Sequence, residues 1–428
     1  MFDVLKNAFK SPELRKKILY TLLILVIFRI GSYIPVPFAN SEALMAATEG
    51  NSFLGYLNMM SGGAFNNATL FAMSITPYIN ASIIIQLLTV AIPALERLSR
   101  EGGEGRKKIN RITRYVTAGL AIFQAIGLYF LLRSNGGFEA QYTTGWAQFF
   151  VAAVVVVTFT AGASLIMWLG EQINDKGLGN GISIILFAGI IARGPDAIVI
   201  LVENFKKGGM NVLLVPLVVV IFAFVIVFIV IMTNSERRIP VQYAKRVVGR
   251  KMYGGQSSYI PIKISMSGVM PIIFASAFLS LPGMISLFYT PEAGTWQYSF
   301  LNAFSPQGWV YGVLYFFLII AFNFFYVTIQ YNPVEIANGI KSNNGAIPGI
   351  RPGKPTVTFI SKVISKISLL GALFLGIIAV FPIVFTALTD MNISLGGTSI
   401  IILVGVAQDT MRQLESQLTV RHHKGFLA

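Results

Sequence analysis

At 428 residues, with 54% hydrophobic and 12% charged side chains and a mean hydropathy of +0.68, the chain carries about half the charge of an average soluble protein. Several apolar runs exceed the roughly 18 residues needed to cross a bilayer, which excludes a soluble globular fold and leaves a polytopic helical membrane protein. There is no cysteine, so disulfides are excluded, and the net charge of +15 first reflects loop orientation rather than nucleic-acid binding.

Residues 1–17 place Phe2, Val4, Leu5, Ala8 and Phe9 among Lys6, Lys10, Arg15, Lys16 and Lys17. That makeup fits either a helix lying along the membrane surface or a frayed basic tail. The first apolar run continues to Pro35 without a small-residue cleavage site, so it reads as a retained span rather than a signal peptide. Ten spans are expected, at about 18–34, 70–91, 115–132, 147–169, 182–201, 212–232, 267–287, 309–329, 367–388 and 398–408. Arg29, in the outer part of the first span, reads as a side chain snorkelling to the interface in preference to a gating role.

With the N-terminus cytoplasmic, every one of the 33 Lys and Arg residues falls on the inside except Arg29, Arg133, Arg193, Lys206 and Lys207. Both termini are therefore expected inside. Ten spans divide into five and five, as residues 1–205 and 206–428, and an odd number per half requires any internal repeat to be inverted in the membrane. Two local matches together support a repeat, chance similarity between apolar helices being the plain alternative for either alone. PYINAS at 77–82 answers PIIFAS at 271–276, aligning Ile79 with Ile273 and Ser82 with Ser276. GNGISIIL at 179–186 answers LGGTSIII at 395–402, aligning Ser183 with Ser399 and Leu186 with Ile402.

The stretch 61–88 begins with polar and glycine residues, Ser61, Gly62, Gly63, Asn66 and Asn67, ahead of an apolar helix. Irregular backbone at membrane depth is tolerated only beside protein or a water-filled cavity. The repeat-matched residues Ile79, Leu186, Ile273 and Ile402 lack charge, and Ile83 and Ile182 lie one helical turn from Ile79 and Leu186. Six branched aliphatics suit a dewetted constriction rather than an ion site; ordinary interhelical packing is the plain alternative. Gln86, Gln124 and Ser276 are polar groups inside spans two, three and seven. They suit either a seam that opens or simple interhelical bonding.

Two inside loops are long and basic. The loop at 237–263 carries Lys245, Arg246, Arg250 and Lys251, which serve either a partner or orientation alone; the loop at 331–366 carries Lys341, Arg351 and Lys354. Within it the Pro and Gly density of KSNNGAIPGIRPGKPT at 341–356 predicts defined turns rather than helix, with Arg351 at a tip where a guanidinium can meet an acidic partner or RNA phosphate. Catalysis lacks support: His422 and His423 are the only histidines, and no paired carboxylates occur inside a span. A Walker A motif is missing as well.

The motifs ITPYINASIIIQLLT, EGGEGRKKINRITRY, MWLGEQINDKGLGNGISI, IPVQYAKR, GVMPIIFAS, NPVEIANGIKSNNGAIPGIRPGKPT and GGTSIIILVGVA resemble the SecY family, channel subunits of the bacterial protein-translocation machinery. The resemblance runs over essentially the whole chain. It implies an all-α membrane protein of ten helices, two inverted five-helix halves around a central pore, with an hourglass pathway in the bacterial plasma membrane. It places the pore ring on Ile79, Ile83, Ile182, Leu186, Ile273 and Ile402, with Leu186 standing where the family often has isoleucine. The re-entrant plug half-helix is implied at about 58–69, including Asn58, Ser61, Gly62, Gly63, Asn66, Asn67 and Thr69. A lateral gate between spans two and three and spans seven and eight would release signal sequences to the lipid bilayer. Implied partners are the small subunits SecE and SecG, the motor ATPase SecA, the ribosome and the translocating polypeptide; no cofactor is implied. The competing reading is an inverted-repeat transporter of a small solute, which should carry polar or charged ligands at the waist.

Overall fold

A computed structural model describes residues 2–50, 52–142, 145–206, 211–243, 246–248, 251–253, 257–288, 294–305, 308–389 and 397–424. The first half comprises α1 (Phe2–Lys10), α2 (Pro12–Gly31), α3 (Ser41–Gly50), α4 (Ser52–Met60), α5 (Thr76–Ala91), α6 (Pro93–Arg100), α7 (Gly103–Ser134), α8 (Gly145–Lys176), α9 (Gly181–Ala192) and α10 (Gly194–Lys206). The second begins with α11 (Asn211–Asn234), β1 (Glu236–Tyr243), β2 (Arg246–Val248), β3 (Lys251–Tyr253), β4 (Ser257–Lys263) and α12 (Met270–Gly283). It continues through α13 (Trp296–Ala303), α14 (Trp309–Gln330), α15 (Pro333–Ser342), β5 (Gly345–Ala346), α16 (Lys354–Thr389) and α17 (Gly397–Lys424).

Each of the ten expected spans coincides with helix. Among the described residues six helical stretches are long and apolar enough to cross a membrane alone, and a seventh candidate is α5 with α6, bent by 100°. The shortest spans, α5 and α12, begin later than hydropathy suggests, at Thr76 and Met270 rather than Leu70 and Ser267. The cause is the same in both halves. Pro77 and Pro271 occupy the first helical turn, where a missing N–H costs nothing. The preceding Ser74 (φ 51°) and Gly268 (φ 60°) sit in the left-handed region and stop the helix from extending upstream. The residues between them and the helices, Ile75 (φ −91°, ψ 4°) and Val269 (φ −89°, ψ −6°), have nearly the same conformation.

The other pair of repeat segments also starts alike, α9 at Gly181 and α17 at Gly397. Asn180 caps α9, its side chain accepting from the backbone of Ile182 at 3.1 Å. Ten residues beyond Ser183, Arg193 faces Asp196 at 3.9 Å; the positions matching them after Ser399 carry the reversed pair Asp409 and Arg412, also 3.9 Å apart.

The two termini lie on one face. Helix α1 packs with α2 and α17, joining Ala8, Leu14, Leu178 and Leu414 in one cluster, and Lys17 Nζ donates to Gln417 Oε1 at 3.2 Å. The open choice at residues 1–17 is thereby resolved for 2–10 in favour of helix. The long loop after α11 forms strands: β1 pairs antiparallel with β4 and β5, and β2 with β3. Ile239 and Val241 on β1 join Ile340, Ile347 and Ile360 in a separate small core. A sheet forms here because Ile239 and Val241 alternate with exposed residues, presenting one apolar face to α15 and α16.

Close helix approach depends on small residues, as expected where lipid gives no hydrophobic drive to association. A Cβ on Gly162 of α8 would stand 1.9 Å from the Leu70 carbonyl oxygen. The Gly162→Val variant is accordingly expected to lose about 2 kcal/mol or more, visible as a thermal midpoint several degrees lower in detergent. An unchanged midpoint would show that α8 and the 61–75 segment are not packed this tightly.

Candidate functional site: waist, plug and gate

Four helices contribute the six waist candidates, and their N-terminal signals explain why these positions lie where they do. Pro77 and Pro271 start α5 and α12 two residues before Ile79 and Ile273, while Gly181 and Gly397 start α9 and α17 one turn or so before Leu186 and Ile402. Ile79, Ile83, Leu186, Ile273 and Ile402 are all buried in a single hydrophobic cluster, and half-buried Ile182 packs against it. α9 packs on α17 and α5 on α12, so the cluster bridges the two halves. None of the six is exposed to the surroundings of the chain. Asn80, next to Ile79, has both amide atoms buried and without a hydrogen bond. The motif comparison pairs it with Phe274, so its break in an apolar pattern is visible in the sequence but was not singled out there.

Met60 and Ala64, from the segment ahead of α5, belong to the same cluster. The helical part of this segment is α4, which ends at Met60; 61–75 is a run of turns, so the half-helix lies upstream of most of the expected stretch. The turns are held by their own polar groups. Asn58 Oδ1 accepts from Asn66 N at 3.1 Å, and Asn58 O accepts from Gly63 N and Ser61 Oγ, both at 3.0 Å. Ser61 Oγ accepts from Phe65 N at 3.0 Å, and Thr69 Oγ1 donates to Ala64 O at 2.9 Å. Asn66 Oδ1 also takes the Thr48 hydroxyl at 2.9 Å, whereas Asn67 is exposed. Thus a polar stretch is satisfied internally while its apolar residues face the core, as burial at membrane depth demands.

The segment touches both halves. Gly62 is left-handed (φ 66°), and a Cβ there would meet the Gly189 carbonyl oxygen of α9 at 2.8 Å. Ser399 Oγ at the start of α17 lies 3.2 Å from Met59 Sδ. Arg29 departs from its expected role: instead of reaching for the interface alone, its Nη1 donates to Gly62 O at 3.2 Å.

Of the three polar gate candidates, two reach across the seam. Gln124 Nε2 of α7 lies 3.8 Å from Met284 Sδ, in the 3-10 turn Met284–Leu287 that follows α12. Beside it the Phe123 and Phe288 rings stand 4.8 Å apart. Gln86 donates to Ser82 Oγ on its own helix at 3.3 Å and also engages the Tyr326 hydroxyl of α14. Ser276 bonds Ile273 O within α12 at 2.9 Å, so it makes no interhelical bond through that donor. A buried polar link that sequence reasoning passed over joins the other side of α14: Asn323 Nδ2 donates to Ser368 O at 3.0 Å, and Asn323 Oδ1 accepts from Ser267 Oγ.

On the face that carries the termini, Lys341, Arg351 and Lys354 are exposed. The Arg351 turn is held by Ile350 N to Ile347 O at 3.0 Å and by Thr356 Oγ1 to Arg351 O at 2.9 Å. Arg246 and Lys251 sit on the paired strands β2 and β3, and Lys245 and Arg250 lie outside the described residues. At the end of β4, burial lowers the Lys263 pKa and nearby Arg412 lowers it further, against the opposing pull of Asp409 and Glu236. Arg412 in turn bonds Thr233 O and Asn234 Oδ1 at the end of α11.

A family model for SecY matches residues 69–411, and the protein translocase subunit SecY of Streptomyces scabiei is 44% identical over 437 residues, covering all of both chains. The chain belongs to the SecY family. The protein translocase subunit SecY of Thermotoga maritima is 41% identical, over all of this chain and 98% of the relative. Solved structures agree on the fold. A protein-conducting channel, 18% identical, superposes with a TM-score of 0.64 over 94% of this chain and 92% of its own. A SecY whose plug domain is described as stabilising the closed state of the translocation channel and maintaining a membrane seal gives 0.67 at 20% identity, with the same coverage. The expected SecY architecture of ten helices in two inverted halves with a plug is thus the fold of this chain.

Proposed function

We infer that this protein is a protein-conducting channel subunit: a passive conduit through which unfolded secretory polypeptides cross the membrane and from which apolar segments leave sideways into lipid. The observation that carries the reading is an apolar cluster of five buried aliphatics and Ile182 bridging the halves, with Met60 and Ala64 from the segment ahead of α5 packed into it. Such a constriction resists water and ions yet yields to a peptide. Relatives named protein translocase subunits favour the conduit over the small-solute transporter.

In this reading residues 1–205 and 206–428 are the halves that part along α5 and α7 against α12 and α14. The polar contacts of Gln86 and Gln124 are weak enough to break when a signal sequence enters. Both termini are cytoplasmic in a bacterial plasma membrane, which accords with the distribution of Lys and Arg. The chain does no chemistry of its own, and a partner motor, SecA, supplies ATP hydrolysis. SecA or the ribosome docks on the two basic loops; related channels have been seen with ribosomes, including Sec61 in a canine ribosome-channel complex. SecE and SecG complete the assembly.

The test is site-specific photocrosslinking of a stalled secretory precursor. Probes replacing Ile83 and Leu186 should capture the chain in transit, while a probe at lipid-facing Val220 of α11 should not. Labelling of Val220 with silence at both waist positions would move the pathway elsewhere.

A further inference from the structure

We propose that Arg29 is the latch that keeps the plug seated, an inference that rests on reading the segment after α4 as a plug. Arg29 is half-buried on α2, and its guanidinium divides its donors. Nη1 goes to Gly62 O at 3.2 Å, and Nη2 to the Tyr33 hydroxyl at 3.0 Å, with the Tyr33 ring 4.9 Å from the guanidinium carbon. A side chain that merely snorkelled would spend its donors on water. Here the residue one turn further on, Tyr33, holds the guanidinium by hydrogen bond and cation–π contact, and the other arm is committed to the plug backbone.

The point of attachment is the one at which a latch has most effect. Gly62 has the guanidinium on one side and the Gly189 backbone of α9 on the other, close enough that any Cβ at Gly62 would meet it. The other attachments of the segment differ in kind, the Thr48 hydroxyl of α3 to Asn66 Oδ1 at 2.9 Å being a neutral one within the first half. Val36 N to Ala68 O at 2.9 Å and Leu70 N to Ile34 O at 2.8 Å tether its far end to the chain leaving α2. Ser399 to Met59 is a weak contact to sulfur from the second half. Arg29 therefore supplies a charge-assisted and reversible bond at the tip, while the Ile34–Val36 tether acts as a hinge on the same half. When the halves part, the plug loses Ser399 and stays with the first half until the Gly62 bond breaks.

Resting ion conductance of the purified channel complex in planar bilayers tests this, with the thermal midpoint as a control for assembly. Arg29→Met should raise conductance about tenfold, the ratio expected for loss of one charge-assisted bond. Deleting residues 58–69 should leave a folded and leakier channel, and the combined variant should leak no more than the deletion alone. A tight Arg29→Met channel beside a leaky deletion, or leaks that multiply in the combined variant, would overturn the latch while leaving the plug. A tight deletion would remove the plug and the latch together. Should Arg29→Met fail to assemble, Arg29→Gln keeps a weaker neutral donor and should leak to a lesser degree; wild-type tightness in that assembled variant would equally overturn the proposal.

Discussion

Replacing Ile79, Ile273 and Ile402 together with asparagine is expected to make the resting channel conduct ions about ten- to a hundredfold better than wild type. The three side chains come from α5, α12 and α17, thus from both halves, and each is buried in the central cluster. Burying an isoleucine is worth about 1.5–3 kcal/mol. If about a third of that, summed over three residues, is what keeps water out of the waist, the barrier to wetting falls by some 1.5–3 kcal/mol, and every 1.4 kcal/mol is tenfold. Valine at the same three positions keeps the polarity and most of the volume, so that variant should stay tight. Reconstituted bilayers report both. Equal tightness of the asparagine and valine variants would mean that these residues are packing and the seal lies elsewhere.

Arg351→Glu should reduce motor-driven export by well over tenfold while leaving insertion and assembly of the channel intact. Arg351 is exposed in a turn whose geometry is held by backbone bonds and by the Thr356 hydroxyl rather than by its own side chain. Surface changes of this kind alter stability by only about 0.5 kcal/mol. Among the described residues its guanidinium makes no ion pair, so it is available to a partner, and like charges brought together at an interface cost several kcal/mol. Translocation of a precursor into proteoliposomes with the motor ATPase and ATP is the measurement. Unchanged export would take Arg351 out of the docking surface and leave its charge to orientation alone.

Much of the fold was legible because membrane insertion writes its requirements locally. Each long apolar run became a helix, since lipid offers backbone groups no other partner. The matches of Ile79 with Ile273 and of Leu186 with Ile402 fall on helices that begin alike, down to the paired left-handed residues Ser74 and Gly268. Those φ values were not legible, because serine rarely adopts that conformation and does so here with its hydroxyl on Met60 O, 3.1 Å away. The sheet was missed for a related reason. Pro240 and Pro261 argue against strands, yet both are tolerated in the β1–β4 ladder, opposite Tyr259 and Arg238.

Hydropathy, loop charge and the parity of the spans determined a polytopic membrane protein of ten apolar spans in which any internal repeat must be inverted, since those signals depend on the immediate neighbours of each residue and on the solvent they meet. Only the tertiary structure decided that Arg29 reaches the backbone of Gly62, that Gln124 rather than Ser276 meets the facing half, and that the turns after α4 rest against α9. Contacts between residues far apart in the chain depend on how helices pack, and no periodicity in one helix records which backbone carbonyl another will present to it.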